Sequence, residues 1–375
     1  MTPSQYLHAH LIGQPGSRDR LNTPALIVDL DALEANIAAM AAFGQAAGVA
    51  LRPHAKTHKS ADIGHIQVAA GAVGLCCAKL GEAEALAAEG IESILLTSPV
   101  VTLPAIERLT ALAGRMPDLA LVADHPQAVA ALASANKGGA IRVMVDIDPG
   151  VHRTGVASAR DAVALARAIA DAPQLTYGGV QFYCGSHQHI PAFADRRAAI
   201  TDRTMYLQTV IAALADAGLA PPVVTGGGTG THRIDGALGV LTELQVGSYI
   251  FMDREYGDCD LGTAFATALM ADTRVISANH PGMATLDAGL KAFATEAGVP
   301  VIMAGAPVGS SYRFMGDEHG AVILPDGASP PALGARLTAM TPHCDPTVNL
   351  YDAYHVVRGD TLVAIWPVTA RGRSA

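Results

Sequence analysis

The chain has 375 residues, of which half are hydrophobic and only 16% charged, with a formal net charge of −9. That length exceeds one small core and implies a large domain plus a second one, and the composition excludes a disordered or fibrous chain. No Lys/Arg block or basic stripe is present, which argues against nucleic-acid binding.

The first twenty residues are polar and lack the basic start and apolar core of a signal peptide. The longest apolar stretch, Val68 to Ala78, is far short of the ~20 residues that a membrane helix needs. The cysteines are Cys76, Cys77, Cys184, Cys259 and Cys344. Their odd number and their spacing fit neither a disulfide framework nor a CxxC zinc site, so a reducing, cytoplasmic setting is expected. Cys76 and Cys77 read as small buried residues on a strand.

From about residue 24 to 225, short β-branched runs alternate with Ala-rich helical segments. The runs are Ala25–Asp29, Ala50–His54, Gly74–Ala78, Ser93–Thr97, Leu119–Asp124, Ile141–Asp148, Gly178–Tyr183 and Pro222–Thr225. Helical stretches between them include Leu33–Ala46, Leu80–Ala88 and Asp161–Ala170; Leu33, Ile37 and Met40 fall on one face. Eight strands separated by helices predict an α/β fold of the (β/α)8 type. A doubly wound open sheet also alternates, but polar and Gly-rich residues just after the strands favour the barrel. After about residue 257, runs such as Thr273–Ser277, Gly282–Leu286, Val299–Ile302, Gly320–Ile323 and Leu362–Ile365 sit between Pro, Gly and Asp turns. These predict a mostly-β second domain.

The densest chemical cluster is Arg52-Pro53-His54-Ala55-Lys56-Thr57-His58-Lys59, after the second run. On a barrel this is the catalytic face, where desolvation is expected to lower the pKa of Lys56 and make it nucleophilic. A solvated basic loop would read the same way. Gly226-Gly227-Gly228-Thr229-Gly230-Thr231 follows the last run. Such a loop can turn backbone N–H groups on an anion, or it can be a plain turn, and it lacks the ending of a nucleotide P-loop. In His343-Cys344-Asp345, an extended backbone would place His343 and Asp345 on one face with Cys344 pointing away. Imidazole plus carboxylate suits Mn²⁺, Mg²⁺ or Zn²⁺. Arg153 in His152-Arg153-Thr154-Gly155, and Tyr183 with His187, Gln188 and His189, also follow strands; Asp287 reads as structural.

Taken together, these motifs resemble the D-threonine aldolase and D-serine dehydratase family of fold-type III pyridoxal-phosphate enzymes, relatives of alanine racemase. The motifs that carry the resemblance are Pro53-His54-x-Lys56-Thr57-His58-Lys59, His152–Gly155, Gln188-His189, Gly226–Thr231, Asp287–Lys291, Glu318-His319-Gly320 and His343-x-Asp345. They span nearly the whole chain.

The resemblance implies that Lys56 forms a Schiff base with pyridoxal 5'-phosphate, with Arg153 beside the cofactor ring and Tyr183 close to it. It implies that Gly227, Gly228, Thr229 and Gly230, with Thr225, cradle the phosphate, and that Tyr249 and Tyr256 add contacts. His343 and Asp345 would hold a divalent metal, and His189 would approach the metal-bound water or the substrate hydroxyl. The implied architecture is a barrel over residues 24–257 and a β-domain made of residues 1–23 with 258–375, assembled as a homodimer.

In the family's dehydratases the metal pair reads His-x-Cys and holds zinc. Asp345 is the aldolase form, and its hard carboxylate favours Mn²⁺. The implied reaction is retro-aldol cleavage of a D-β-hydroxy amino acid to glycine and an aldehyde. The substrate is 3-hydroxyaspartate, giving glyoxylate, or D-threonine, giving acetaldehyde. His187 and Arg313 are candidates for binding a second carboxylate. The rival readings are a dehydratase on the same scaffold, a racemase, a single-barrel cofactor carrier and a metal hydrolase.

Overall fold

The computed structural model describes residues 7–138, 141–262 and 265–375. Residues 1–6 of the expected β-domain segment lie outside them. Two sheets organise the chain.

The first sheet is parallel and contains eight strands: β2 (Ala50–Leu51), β3 (Leu75–Cys77), β4 (Ser93–Leu96), β5 (Asp118–Ala123), β6 (Ile141–Ile147), β7 (Leu175–Phe182), β8 (Val223–Gly226) and β9 (Glu243–Leu244). They run in the order β2-β9-β8-β7-β6-β5-β4-β3. A parallel bridge between His54 and Cys76 joins the two ends, so the sheet closes into the expected barrel. Pairing past β2 continues through His54 N to Val246 O at 2.9 Å and Cys76 N to Pro53 O at 2.7 Å. Apolar side chains from these strands and from the helices between them form one continuous core. Cys76 and Cys77 are fully buried in β3, as expected for small core residues.

One strand departs from its expected place. Ala25–Asp29 is a strand, β1, but it is not in the barrel. It pairs antiparallel with β10 (Leu269–His280) and parallel with β16 (Ala353–Arg358) in the second sheet. The eighth barrel strand is β9, a two-residue element that the sequence pattern does not reveal. β1 leads directly into the helix Leu30–Ala47. Asp29 caps that helix by accepting from Ala32 N, and Gly48 ends it in the left-handed conformation. Leu33, Ile37 and Met40 on its inner face are buried.

The second sheet runs β13 (Ser311–Phe314), β14 (Gly320–Ile323), β11 (Met283–Leu286), β10, β1, β16, β17 (Thr361–Pro367), with β15 (Arg336–Met340) pairing β10 and β12 (Val301–Ala304). Asp287 is structural: it accepts from Thr273 Oγ1 at 2.6 Å, Arg274 N at 2.9 Å and Thr23 Oγ1 at 2.5 Å, and so ties the chain entering β1 to this sheet. The segment between β15 and β16 carries His343 and Asp345 to the barrel mouth.

Candidate active site

The carboxyl ends of the barrel strands converge on a cavity of about 530 Å³. His54 and Lys56 after β2, Thr97 after β4, Arg153 and Thr154 after β6, and Tyr183 after β7 contribute to its wall. That size is in the range that takes a small organic ligand.

Lys56 sits in the short turn Ala55–Thr57, which is held by a defined hydrogen-bond chain. Lys56 N donates to His54 Nδ1 at 3.4 Å, and Thr97 Oγ1 donates to Cys77 O at 3.2 Å. The remaining contact, His54 Nε2 to Thr97 Oγ1 at 3.1 Å, therefore has the imidazole as donor. Burial, with the charge of Lys56, pushes His54 down to about 3 and keeps it neutral. The other residues of the basic cluster are structural. Arg52 donates to Glu243 Oε2 at 3.0 Å and Ser93 Oγ at 2.8 Å, and Lys59 pairs with the buried Glu82 at 3.1 Å.

The ammonium of Lys56 pairs with the carboxylate of Asp345. Burial opposes the charge on Lys56, but the carboxylate outweighs it and holds Lys56 above the ordinary lysine range. The expected lowering of this lysine is thus reversed, because desolvation is only one of two opposing influences. Asp345, although half-buried, is held below the usual carboxylate range by Lys56 and His343.

The segment expected to hold a metal, His343 to Asp345, also differs from its expected shape. His343 is extended (φ −142°, ψ 127°), but Cys344 starts a short helix, Cys344–Val348. Asp253 anchors that turn by accepting from Cys344 N at 2.8 Å and Tyr256 N at 3.2 Å. Cys344 is fully buried, and burial pushes its thiol well above the usual range. The turn therefore delivers Asp345 to Lys56 while the cysteine packs inward. His343 Nδ1 lies 2.8 Å from Glu296 Oε1 and 3.6 Å from Glu255 Oε2. The sequence signals neither glutamate: Glu255 is one of several acids around the short helix Arg254–Gly257, and Glu296 is a lone acid in a loop.

His189 packs its ring 4.5 Å from that of Tyr256. Partial desolvation lowers its pKa, against the pull of Glu255 and Asp253. The Arg153 guanidinium lies 5.4 Å from the Tyr183 ring centroid.

The glycine loop is a stripped main chain packed on its neighbours. A Cβ on Gly226 would lie 2.0 Å from Phe182 O, and one on Gly227 would lie 2.5 Å from Asp235 Oδ2. The N–H groups of Gly228 and Gly230 are engaged by Thr231 Oγ1 at 3.2 Å and Gln188 Oε1 at 3.1 Å. Thr229 Oγ1 accepts from Tyr249 N at 3.0 Å. Two candidates face elsewhere. The Tyr249 hydroxyl accepts from Gln67 Nε2 at 3.0 Å within the core, and Thr225 Oγ1 accepts from Gln245 Nε2 at 3.1 Å inside the barrel. That contact belongs to a polar layer in which Gln245 donates to Gln181 and Gln181 donates to Asp146. Burial raises Asp146 to about 6.

Residues 28–255 match the model of the alanine racemase N-terminal domain, and residues 268–357 match that of a serine dehydratase domain. The 3-hydroxy-D-aspartate aldolase of Paracoccus denitrificans (strain Pd 1222) is 38% identical over 371 residues, covering 96% of this chain and 95% of that protein. The D-threonine aldolase of an Arthrobacter species is 39% identical over 366 residues, with 96% of each chain covered. The chain belongs to this alanine racemase-like family of pyridoxal-phosphate enzymes. The crystal structure of D-threonine aldolase from Filomicrobium marinum superposes with a TM-score of 0.92 at 38% identity, covering 95% of this chain and 97% of that one. The family thus joins a barrel and a β-domain, as this chain does, and the expected fold holds.

Among the described residues, no group of three His, Cys, Asp or Glu forms a ready-made metal cage. The pair His343 and Asp345 suits an open site, in which water and substrate oxygens complete the coordination. No described helix is long and apolar enough to cross a membrane.

Proposed function

We propose that the chain is a pyridoxal-phosphate- and divalent-metal-dependent aldolase that cleaves a D-β-hydroxy amino acid between Cα and Cβ, releasing glycine and an aldehyde. The observation that carries this reading is the pairing of Lys56, which lines the barrel cavity, with Asp345, from the β-domain segment. It brings an amine able to bind the cofactor's carbonyl beside a carboxylate able to bind a metal.

Lys56 would hold the cofactor, with Arg153 and Tyr183 beside it, and the Gly227–Gly230 loop would receive the phosphate on the main-chain N–H groups that Thr231 and Gln188 do not engage. His343 and Asp345 hold the metal. When bound, the cofactor supplies a sink for the electrons left at Cα, and the ion polarises the β-hydroxyl. His189, whose pKa is lowered by partial desolvation, accepts the proton from that hydroxyl oxygen. The hard carboxylate, with no thiolate in the pair, favours Mn²⁺ or Mg²⁺ over Zn²⁺. A homodimer is the expected assembly; the exposed Val301, Met303 and Val308 are candidate contacts.

A dehydratase on the same scaffold would expel the hydroxyl and release ammonia and a keto acid. Asp345 in place of cysteine favours the aldolase. For the β-substituent, neither His187 nor Arg313 lines the cavity, whereas Lys79 and Arg153 do. These two cations make 3-hydroxyaspartate as acceptable as D-threonine. The deciding experiment is a product assay on both substrates, scored for glycine against ammonia. Ammonia without glycine would overturn the aldolase reading, and kcat/KM for the two substrates would rank them.

A further inference from the structure

We propose that Gln188 is a positioning residue that clasps the glycine loop to the strand-end loop carrying His189, so that cofactor-phosphate binding and the placement of His189 are one mechanical unit. The proposal rests on the reading of Gly227–Gly230 as the phosphate cradle and of His189 as the proton acceptor.

Gln188 is 1% exposed, although it lies in an irregular loop. Both donors of its amide and the acceptor oxygen are engaged. Oε1 accepts from Gly230 N at 3.1 Å, while Nε2 donates to Thr231 Oγ1 at 3.1 Å and to Cys184 O at 3.4 Å. Thr231 Oγ1 in turn donates to the buried Asp235 at 2.6 Å. The packing is as specific as the bonding. A Cβ on Gly228 would lie 2.6 Å from Gln188 Oε1, and one on Gly230 would lie 2.0 Å from Gln188 O. Gln188's main chain therefore demands Gly230, and its amide can keep its bonds only against Gly228, independently of any ligand.

The residue that follows has the opposite character. The His189 side chain is exposed and rests on the ring of Tyr256. Its backbone is pinned on both sides. Gln188 fixes the near side; on the far side the fully buried Arg196 donates to the carbonyls of Ile190 and Pro191, and Asp260 N donates to Pro191 O at 3.0 Å. A catalytic group on a loop needs such support, because a displacement of about 1 Å costs on the order of 100-fold in rate. Gln188 supplies it from the same amide that shapes the glycine loop.

The test compares wild-type holoenzyme with Gln188→Ala and with Gln188→Glu, which keeps the volume and the acceptor but removes both donors. Two readouts are taken: the affinity for pyridoxal phosphate relative to pyridoxal, and kcat and KM at saturating cofactor. The clasp predicts that both variants bind pyridoxal phosphate about tenfold more weakly, the worth of an ordinary hydrogen bond, with pyridoxal binding unchanged. It also predicts that kcat falls about tenfold or more while KM holds, as for a displaced catalytic group. Should the alanine variant fail to fold, the glutamate variant decides alone. Variants that keep both the wild-type affinity ratio and kcat overturn the clasp. A wild-type enzyme that binds pyridoxal as tightly as its phosphate overturns the cradle reading beneath it, which is a separate failure.

Discussion

Glu296 Oε1 lies 2.8 Å from His343 Nδ1, the geometry by which a carboxylate fixes the tautomer of a metal-ligating histidine. With the proton held on Nδ1, Nε2 keeps its lone pair for an ion. Glu296→Gln is therefore expected to weaken Mn²⁺ binding by roughly 10- to 100-fold, the usual effect of losing such a partner. Titration calorimetry of the holoenzyme measures this. An unchanged affinity would mean that His343 does not hold the metal in this way.

The pairing of Lys56 with Asp345 gives two separable outcomes. Lys56→Ala should give a protein without the visible absorbance of bound cofactor and without turnover. Asp345→Asn should keep the colour, because Lys56 remains, but lose turnover and its restoration by Mn²⁺ after chelation. An Asp345→Asn enzyme that still responds to the ion would remove the carboxylate from the metal site.

How much of this was legible in the sequence depends on the range of each interaction. The motif Pro53–Lys59 and the glycine loop announce themselves because their residues are adjacent in the chain. The placement of β1 does not. Leu26, Ile27 and Val28 are fully buried, and such a run fits the middle of either sheet. Only pairing with β10 and β16, more than two hundred residues away, decides between them. β9 was missed because two residues carry no period. The pKa direction of Lys56 was misread because desolvation is local in sequence terms, whereas Asp345 arrives from 289 residues away. The role of Glu296 has the same distant origin.

Gly230→Ala tests how tightly the glycine loop is built. The new methyl would stand 2.0 Å from the carbonyl oxygen of Gln188, a contact that only backbone movement relieves. Overpacking of this kind costs roughly 1–3 kcal/mol. The expected result is a lower Tm together with weaker pyridoxal-phosphate binding. Wild-type values of both would show that the loop has slack the structure does not display.

A final prediction concerns acid. His8 Nε2 accepts from Asn22 N at 2.9 Å, so Nδ1 carries the proton and donates it to His355 Nε2 at 2.8 Å. This pair fastens the N-terminal segment to β16, and it works only while both rings are neutral. Burial, with the neighbouring His8, lowers His355 to about 4 from 6.5, and burial also lowers His8. A depressed histidine binds a proton more readily in the unfolded chain. Its contribution to stability is therefore complete above about pH 6.5 and is lost progressively as pH falls toward 4, at ~1.4 kcal/mol for each unit of depression. Tm should fall over that window. His355→Gln should fall less steeply, without becoming flat, because the buried His58 and His232 are also held to about 4. A variant whose Tm declines as steeply as that of the wild type would show that the His8–His355 pair takes no part in the acid response.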